Sequence, residues 1–184
     1  MKYDMNLLKR CVNGVLMIII SSLLSSCFCE PLWEWLNPDD KGTLQQKAYE
    51  GNEIRIDGYY YSLIDEDYDI LCYFVLYRNG VIYGPIHQDA SDSVVLESVS
   101  RFDYKIRDNW GLFEIEDSLI SLEYYLPSMY GHHAYLMKGR ILNDTTFHMT
   151  SGKQSDKSSY EQIDKLFHFC PMDVKPDSTN KYYR

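Results

Sequence analysis

The clearest structural signal in this chain is the stretch ILCYFVLYRNGVIY, residues 70–83. Aromatic and β-branched residues favour strands, and Asn79-Gly80 supplies the positive φ angles that a type I′ hairpin turn requires. We therefore predict an antiparallel hairpin whose arms are residues 70–77 and 81–83. The first arm is apolar on both faces, so we expect it to be covered on both sides.

Alternating apolar and polar residues continue on both sides of this hairpin and predict further strands. Helical spacing instead predicts two short helices, Asp39–Tyr49 after the capping pair Asn37-Pro38, and Ser91–Phe102. Residues 127–133 and 151–159 lack periodicity and are predicted to be loops. The further predicted strands are residues 53–60, 111–116, 120–124, 135–142, 145–150 and 166–170.

This pattern predicts a mainly β domain, an antiparallel up-and-down meander of about eight strands with one or two short helices. Eight strands are enough to close a barrel, and closure removes the exposed sheet edges. The interior of a barrel of this size is either filled or just wide enough for one small ligand. An open sheet curled over the Ser91–Phe102 helix is the alternative architecture.

The first 26 residues have the pattern of a bacterial lipoprotein signal. Three basic residues precede an apolar run, residues 12–24, which is too short to span a bilayer as a helix. The run ends in Leu24-Ser25-Ser26-Cys27, which matches a lipobox whose cysteine is acylated. A plain signal peptide followed by a chance cysteine is the alternative. We expect a signal peptide (1–26), an anchored linker with a short helix (27–52), a barrel domain (53–172) and a C-terminal tail (173–184).

Composition and the export signal together define the partners that we expect. The chain has 184 residues and a formal net charge of −9, and loss of the signal removes more basic residues than acidic ones. An acidic surface argues against nucleic acid and against electrostatic adhesion to anionic lipid. We therefore expect an outer-membrane lipoprotein of the bacterial cell envelope, attached through acyl chains on Cys27. No acidic run follows Cys27, which favours the periplasmic side over the cell surface.

Two cysteines of the predicted barrel raise the question of a disulfide. Cys72 and Cys170 both fall in predicted strands of an exported domain, where an oxidised pair is compatible with the compartment. Two small buried thiols are the interpretation that we prefer.

Several motifs resemble those of lipocalin-like (calycin) proteins. Gly58-Tyr59-Tyr60 lies behind a predicted helix, as the Gly-x-Trp motif does in lipocalins, with Tyr60 in the place of the Trp. The Tyr77–Gly80 hairpin, the Asn143–Phe147 turn and the Lys175–Asn180 tail resemble those of predicted lipocalin-like lipoproteins of Bacteroidetes. This resemblance covers most of the chain after the signal. It implies a lipocalin-like barrel and carries over no catalytic residue.

The sequence contains no motif for catalysis, and we expect neither an enzyme nor a cofactor. A Gly-rich phosphate loop, a GxSxG elbow and HExxH are all missing. His132-His133 is the best metal candidate, but adjacent histidines rarely bind one ion without further ligands, so we predict no metal. The carboxylate runs, such as Asp65-Glu66-Asp67, are expected to be solvated.

The remaining signal is the 17 tyrosines of the chain, many of them in or near predicted strands. Tyrosine combines an apolar face with a hydroxyl, which suits a cavity for a small amphipathic molecule. The alternative is a filled barrel in an envelope structural or interaction lipoprotein, with an exposed patch around Trp33, Trp35, Tyr125 and Tyr130. The residues predicted to point inward and to contact a ligand are Tyr60, Tyr73, Phe113, Tyr124 and Tyr135.

Overall fold

The computed structural model describes residues 41–65, 70–84, 86–87, 106–128 and 131–183, all within the contact unit Asp40–Arg184. Nine strands account for most of these residues, and helical structure among them is confined to one 3₁₀ turn. The strands are β1 (Gly58–Asp65), β2 (Ile70–Leu76), β3 (Val81–Tyr83), β4 (Ile86–His87), β5 (Trp110–Glu116), β6 (Leu119–Ser128), β7 (Gly131–Asn143), β8 (Thr146–Gln154) and β9 (Glu161–Pro171), and the 3₁₀ turn is Arg107–Asn109.

The strands form a closed antiparallel barrel. Their order is β1-β9-β8-β7-β6-β5-β3-β2, and β2 pairs again with β1. The short strand β4 pairs with β2 in the same register as β3, so that β3 and β4 occupy one position in the ring. The barrel therefore has eight strand positions, which confirms the predicted fold class and excludes the open sheet.

The predicted hairpin is confirmed, but its turn is of a different type. Gly80 has φ 82°, whereas Asn79 does not have a positive φ. The amide of Gly80 donates to the Tyr77 carbonyl (3.0 Å) and that of Tyr77 to the Val81 carbonyl (2.9 Å). This is a three-residue loop in which glycine alone takes the left-handed conformation. Two successive positive φ angles occur instead at Asp117 (48°) and Ser118 (69°), between β5 and β6.

Apolar side chains form two separate clusters, one on each side of the barrel wall. The inner cluster draws residues from every long strand, including the fully buried Phe74, Phe147 and Phe167. The outer cluster covers β1, β2, β3 and β5 from outside and includes Tyr59, Tyr73 and Trp110. Both faces of β2 are therefore buried, as its apolar sequence predicted.

The C-terminal tail covers the outer cluster. Met172, Tyr182 and Tyr183 pack against it. The guanidinium of Arg107 lies 4.1 Å from the ring centre of Tyr125 and 5.0 Å from that of Tyr182, close enough for cation–π attraction. The tail is thereby fixed to the wall of the barrel.

The segment before β1 closes one end of the barrel, which we call the closed end. Tyr49 and Ile54 belong to the inner cluster although both precede the first strand. The amide of Tyr49 donates to the Arg78 carbonyl (2.8 Å) and that of Arg55 to the Asp144 carbonyl (2.9 Å). These carbonyls lie in turns at the same end, so residues 49–55 cross that end of the barrel. The opposite end, where β1 ends and β9 begins, is called the far end.

The structure corrects several predicted boundaries. Residues 41–49 are neither helical nor part of a strand, because the amides of Thr43, Leu44 and Tyr49 bind the barrel instead of one another. β1 begins at Gly58 rather than at residue 53. The loops predicted at 127–133 and 151–159 are shorter, since β6 reaches Ser128 and β8 reaches Gln154. The predicted helix Ser91–Phe102 and residues 37–40 lie outside the described residues.

Candidate ligand-binding site

Four of the five residues predicted to point inward do so. Tyr60, Phe113 and Tyr124 belong to the inner cluster and Tyr135 packs against it, whereas Tyr73 belongs to the outer cluster. The prediction for Tyr73 was therefore wrong. Because β2 is apolar on both faces, alternation alone does not distinguish its two sides. The pairing of Phe74 with the inward Tyr60 determines that Phe74, not Tyr73, faces the interior.

Tyr60 and Phe113 build the closed end of the barrel. The hydroxyl of Tyr60 donates to the Asp144 carbonyl (2.8 Å) and accepts from the Arg55 amide (3.1 Å). Burial raises the pKa of Tyr60, so the hydroxyl stays protonated and able to donate. Phe113 packs edge-on against Tyr49, with ring centres 5.6 Å apart. Through these contacts, Tyr60 and Phe113 stabilise the half of the barrel next to the closed end.

The interior is more polar towards the far end. Ser62 and Cys72 lie opposite each other on β1 and β2 and are 4% and 3% exposed. Lys165 on β9 lies opposite the fully buried Met149 on β8, and directly opposed side chains share a face of the sheet. Lys165 therefore faces the interior, as Phe167 two residues later does. This half of the barrel combines a hydroxyl, a thiol and an ammonium with aromatic walls.

Tyr124 and Tyr135 form the aromatic wall of this half. The ring centre of Tyr124 lies 5.4 Å from that of Phe74 and 5.6 Å from that of Tyr135. The Tyr135 hydroxyl donates to Glu161 Oε1 at 2.7 Å. The Tyr135 side chain passes over Gly152, where a Cβ would lie 2.0 Å from the hydroxyl oxygen. Glycine at 152 is thus required for Tyr135 to reach from β7 across β8 to β9.

The thiol of Cys72 is neutral in this environment. Burial raises its pKa to about 12, with the charge of Lys165 acting in the opposite direction. A thiol with this pKa is a poor nucleophile at neutral pH. Cys72 and Cys170 are both free; Cys72 lies in the inner cluster and Cys170 packs against the outer one, so the barrel wall separates them. The preferred interpretation of two buried thiols holds for Cys72, whereas Cys170 is only half-buried.

Two histidines, one of them the metal candidate His132, pair with carboxylates. His132 Nε2 lies 3.2 Å from Asp108 Oδ1, and His148 Nε2 lies 2.6 Å from Asp164 Oδ1. Among the residues that the structure describes, no group of three or more His, Cys, Asp or Glu side chains is arranged to hold a metal ion.

In the part of the chain that the structure describes, clefts lie at the closed end and on the outer face of the barrel. One, of about 390 Å³, separates residues 47–53 from β5, and Lys47 and Glu114 face each other in it at 3.9 Å. The other, of about 310 Å³, crosses the outer faces of β5 to β8 and includes Glu116, Lys138 and Arg140. Charges of both signs line these clefts, which is typical of a solvated surface.

Ser62 and Lys165 are site residues that the sequence prediction missed. Lys165 precedes Phe167 of the predicted strand 166–170 by two positions, and strand alternation puts both side chains on one face. It was missed because the predicted strand began at residue 166, whereas β9 begins at Glu161. Ser62 was missed for a similar reason, since the predicted strand ended at residue 60 and β1 continues to Asp65.

Comparison of the chain with protein-family models, with curated proteins and with solved structures found no match. Within the described residues, no helix is long and apolar enough to cross a membrane. The fold and the geometry of the barrel interior therefore carry the functional argument.

Proposed function

We propose that this chain is a lipid-anchored protein of the bacterial cell envelope whose lipocalin-like barrel binds a small amphipathic molecule. The observation that carries the proposal is the difference between the two halves of the interior. Aromatic rings pack the closed half, while Ser62, Cys72 and Lys165 place polar groups inside the far half. Polar groups beside aromatic walls suit a ligand that is apolar along one part and polar at another.

The lipid anchor is proposed from the Leu24–Cys27 motif and the basic and apolar residues before it. A chain acylated at Cys27 incorporates an alkyne-labelled fatty acid during growth, and the Cys27→Ser variant does not. Equal labelling of the wild-type and Cys27→Ser chains would contradict the proposed lipid anchor. Protease treatment of intact cells then tests the periplasmic orientation, because a chain facing the periplasm is protected until the outer membrane is opened.

Ligand binding is tested by native mass spectrometry of the chain from Glu30 onwards, exported to the periplasm and purified without detergent. A co-purifying small molecule that leaves on denaturation supports the proposal and gives the mass of the ligand. An empty protein that shows no mass shift after incubation with mixed bacterial lipids contradicts it.

A filled barrel that acts through its surface is the second candidate. It is favoured by the complete burial of Phe74, Phe147 and Phe167 across the middle of the interior. Its expected apolar patch is not supported at Tyr125, which is 5% exposed and lies beneath Arg107. Trp33, Trp35 and Tyr130 lie outside the described residues.

A further inference from the structure

We infer that the outer wall formed by β7 and β8 binds the surface of an anionic phospholipid bilayer. We call this surface the basic wall and define it by the side chains of Lys138, Arg140 and Lys153. The inference goes beyond the proposed function, because it concerns the outer face of the barrel rather than its interior. It follows from the charge of the two strands, from the exposed apolar side chains beside them, and from the coverage of the other walls.

The basic wall has a charge opposite to that of the chain as a whole. The chain contains 27 Asp and Glu residues against 18 Lys and Arg, whereas β7 and β8 contain Lys138, Arg140 and Lys153 and neither Asp nor Glu. The net charge of −9 argued against adhesion to anionic lipid, but a net charge does not describe how charges are distributed. Attraction to an anionic membrane acts only within about a Debye length, roughly 8 Å at physiological ionic strength. The charge of the wall that meets the membrane therefore decides the interaction.

The alternation of side chains puts these three cations on the outside of the barrel. Met137 belongs to the inner cluster, so the next outward positions along β7 are Lys138 and Arg140, and both are exposed. On β8, Lys153 lies directly opposite Leu136, the neighbour of Met137, and faces outward for the same reason. The three basic side chains thus share one face of two adjacent strands.

Exposed leucines flank the basic side chains. Leu119 on β6 lies directly opposite Arg140, and Leu142 follows Arg140 by two positions. These leucines are 51% and 58% exposed, and Leu166 on β9, which lies opposite His148, is 41% exposed. Leucine beside Lys and Arg is typical of surfaces that insert apolar side chains among lipid headgroups while the cations contact the phosphates. The exposed apolar side chains therefore fit a membrane better than a wholly polar partner.

Tyr160, between β8 and β9, brings two of the cations together. The ammonium of Lys138 lies 5.5 Å from the centre of the Tyr160 ring and that of Lys153 lies 5.6 Å from it, within the range of cation–π attraction. The Tyr160 side chain is itself 46% exposed. Tyrosine is enriched at the level of lipid headgroups, where its ring meets apolar chains and its hydroxyl meets water. The ring therefore holds both ammonium groups at the surface in a setting suited to headgroups.

The other walls of the barrel are covered by segments of the chain itself. The outer cluster covers β1, β2, β3 and β5, and the C-terminal tail packs against it. Glu123 attaches the segment that precedes the barrel to the outer face of β6. Lys138 and Arg140, in contrast, are exposed. Within the described part of the chain, the basic wall is thus the side of the barrel that is accessible to a membrane.

Carboxylates border the basic wall on two sides. Asp164 on β9 lies 2.6 Å from His148. On the other side, Glu114 and Glu116 on β5 line the cleft that also includes Arg140. These carboxylates reduce the attraction to an anionic surface, so binding is expected to require a high content of anionic lipid and to weaken in salt.

The test uses the full chain, reconstituted into vesicles that contain a trace of phosphatidylethanolamine with a diazirine on its headgroup. One preparation is otherwise phosphatidylcholine alone, and the other contains phosphatidylglycerol and phosphatidylcholine in equal amounts. After irradiation, mass spectrometry quantifies the probe on peptides of β7 and β8 and on peptides of the C-terminal tail, which covers a different wall. The double variant Lys138→Glu, Arg140→Glu removes the charge of the wall. The double variant Lys41→Glu, Lys181→Glu is the matched control, since it changes the net charge equally at two exposed lysines elsewhere.

In vesicles with phosphatidylglycerol, the β7 and β8 peptides of the wild-type chain are expected to carry at least about tenfold more probe than the tail peptides, because three basic side chains at an anionic surface together contribute such a factor. The preference falls to within about twofold in phosphatidylcholine alone and in about 1 M salt, where the Debye length is only about 3 Å. The Lys138→Glu, Arg140→Glu variant loses the preference, whereas the control variant retains it. Circular dichroism of each variant in the same vesicles separates loss of binding from loss of folding.

Three outcomes overturn the inference. Equal labelling of the two walls in vesicles with phosphatidylglycerol shows that the basic wall does not face the membrane. A preference for β7 and β8 that is the same in both preparations shows that the charge of the wall does not orient the barrel. A preference that survives in the folded Lys138→Glu, Arg140→Glu variant assigns the contact to other residues. All three outcomes leave the proposed ligand inside the barrel unaffected, since the probe reports only on the outer surface.

Discussion

The carboxylate of Glu123 on β6 binds Thr43, eighty residues earlier in the chain. It accepts the Thr43 amide at 2.6 Å and the Thr43 hydroxyl at 2.7 Å, and the Leu44 amide at 3.2 Å. Glu123 is 2% exposed, so this is a buried charged group satisfied by donors from one short segment. The contact attaches the residues before the barrel to its outer face, and it explains why this segment is not helical.

Removal of this carboxylate is expected to destabilise the protein. Glu123→Ala leaves two amides and a hydroxyl without their acceptor, and we expect a loss of about 2–4 kcal/mol in the free energy of unfolding. Thr43→Val removes only the hydroxyl and is expected to cost about 1 kcal/mol. Urea unfolding followed by tryptophan fluorescence measures both values. Equal effects of the two substitutions would contradict the assigned role of the carboxylate.

Gly152→Ala is expected to break the hydrogen bond between Tyr135 and Glu161. The new Cβ would lie 2.0 Å from the hydroxyl oxygen and 2.6 Å from Cζ of Tyr135, so the ring must move. We expect a destabilisation of about 1–2 kcal/mol, larger than that of Tyr135→Phe, which removes only the hydroxyl. In a Tyr135→Ala background the same glycine substitution is expected to have little effect. A full effect in that background would show that another contact opposes the added methyl group.

Buried tyrosines are expected to make the protein sensitive to alkaline pH. Burial raises the pKa of Tyr60, Tyr77, Tyr124, Tyr135 and Tyr183 above the ordinary value of 10.0. The stabilising contribution of these groups is fully present below pH 10, and it is lost as the pH rises because the unfolded chain releases their protons first. The free energy of unfolding should fall above about pH 10, by up to about 1.4 kcal/mol per pH unit for each tyrosine and by less for the partly exposed Tyr135.

Absorbance of tyrosinate provides the measurement for this effect. Five of the tyrosines are expected to ionise only when the barrel unfolds, as a step that coincides with the loss of the β-sheet signal in circular dichroism. A smooth titration of all tyrosines in the folded protein would contradict this expectation.

Lys175 is expected to make the free energy of unfolding rise with pH, the opposite of the tyrosine effect, over a lower pH range. Its ammonium donates to the carbonyls of Ile56 and Leu76 and lies 4.5 Å from the ring centre of Tyr77. Burial lowers the pKa of Lys175 to about 8 from 10.5. Between these two values the unfolded chain binds more protons than the folded one, so the stability of the wild-type protein relative to Lys175→Met rises with pH.

The expected rise is at most about 1 kcal/mol per pH unit, because the side chain remains partly exposed to solvent and its charge is screened. Urea unfolding of both chains at several pH values between about 8 and 10 measures the difference. Lys181→Met is the matched control, since Lys181 is an exposed lysine in the same tail. A constant difference between wild type and Lys175→Met over this range would contradict the prediction.

Sequence alone was sufficient to predict eight of the nine strands, though not all of their boundaries, and much of their inner face. Phe113, Tyr124 and Tyr135 were placed correctly because each lies in a strand where polar residues mark the opposite face. Alternation is a local property, and one buried face is enough to specify the register. The hairpin at residues 70–83 was predicted from its aromatic and β-branched residues and from its Asn-Gly pair.

Only the tertiary structure decided which way the doubly apolar strand β2 faces, because neither set of its side chains is marked by polarity. Pairing with β1 puts Phe74 inside and Tyr73 outside, beneath an outer cluster to which the C-terminal tail contributes. The irregular segment 41–49 also depended on partners far along the chain. The candidate site arises in the same way, since Ser62, Cys72 and Lys165 lie on three different strands and converge only when the barrel closes.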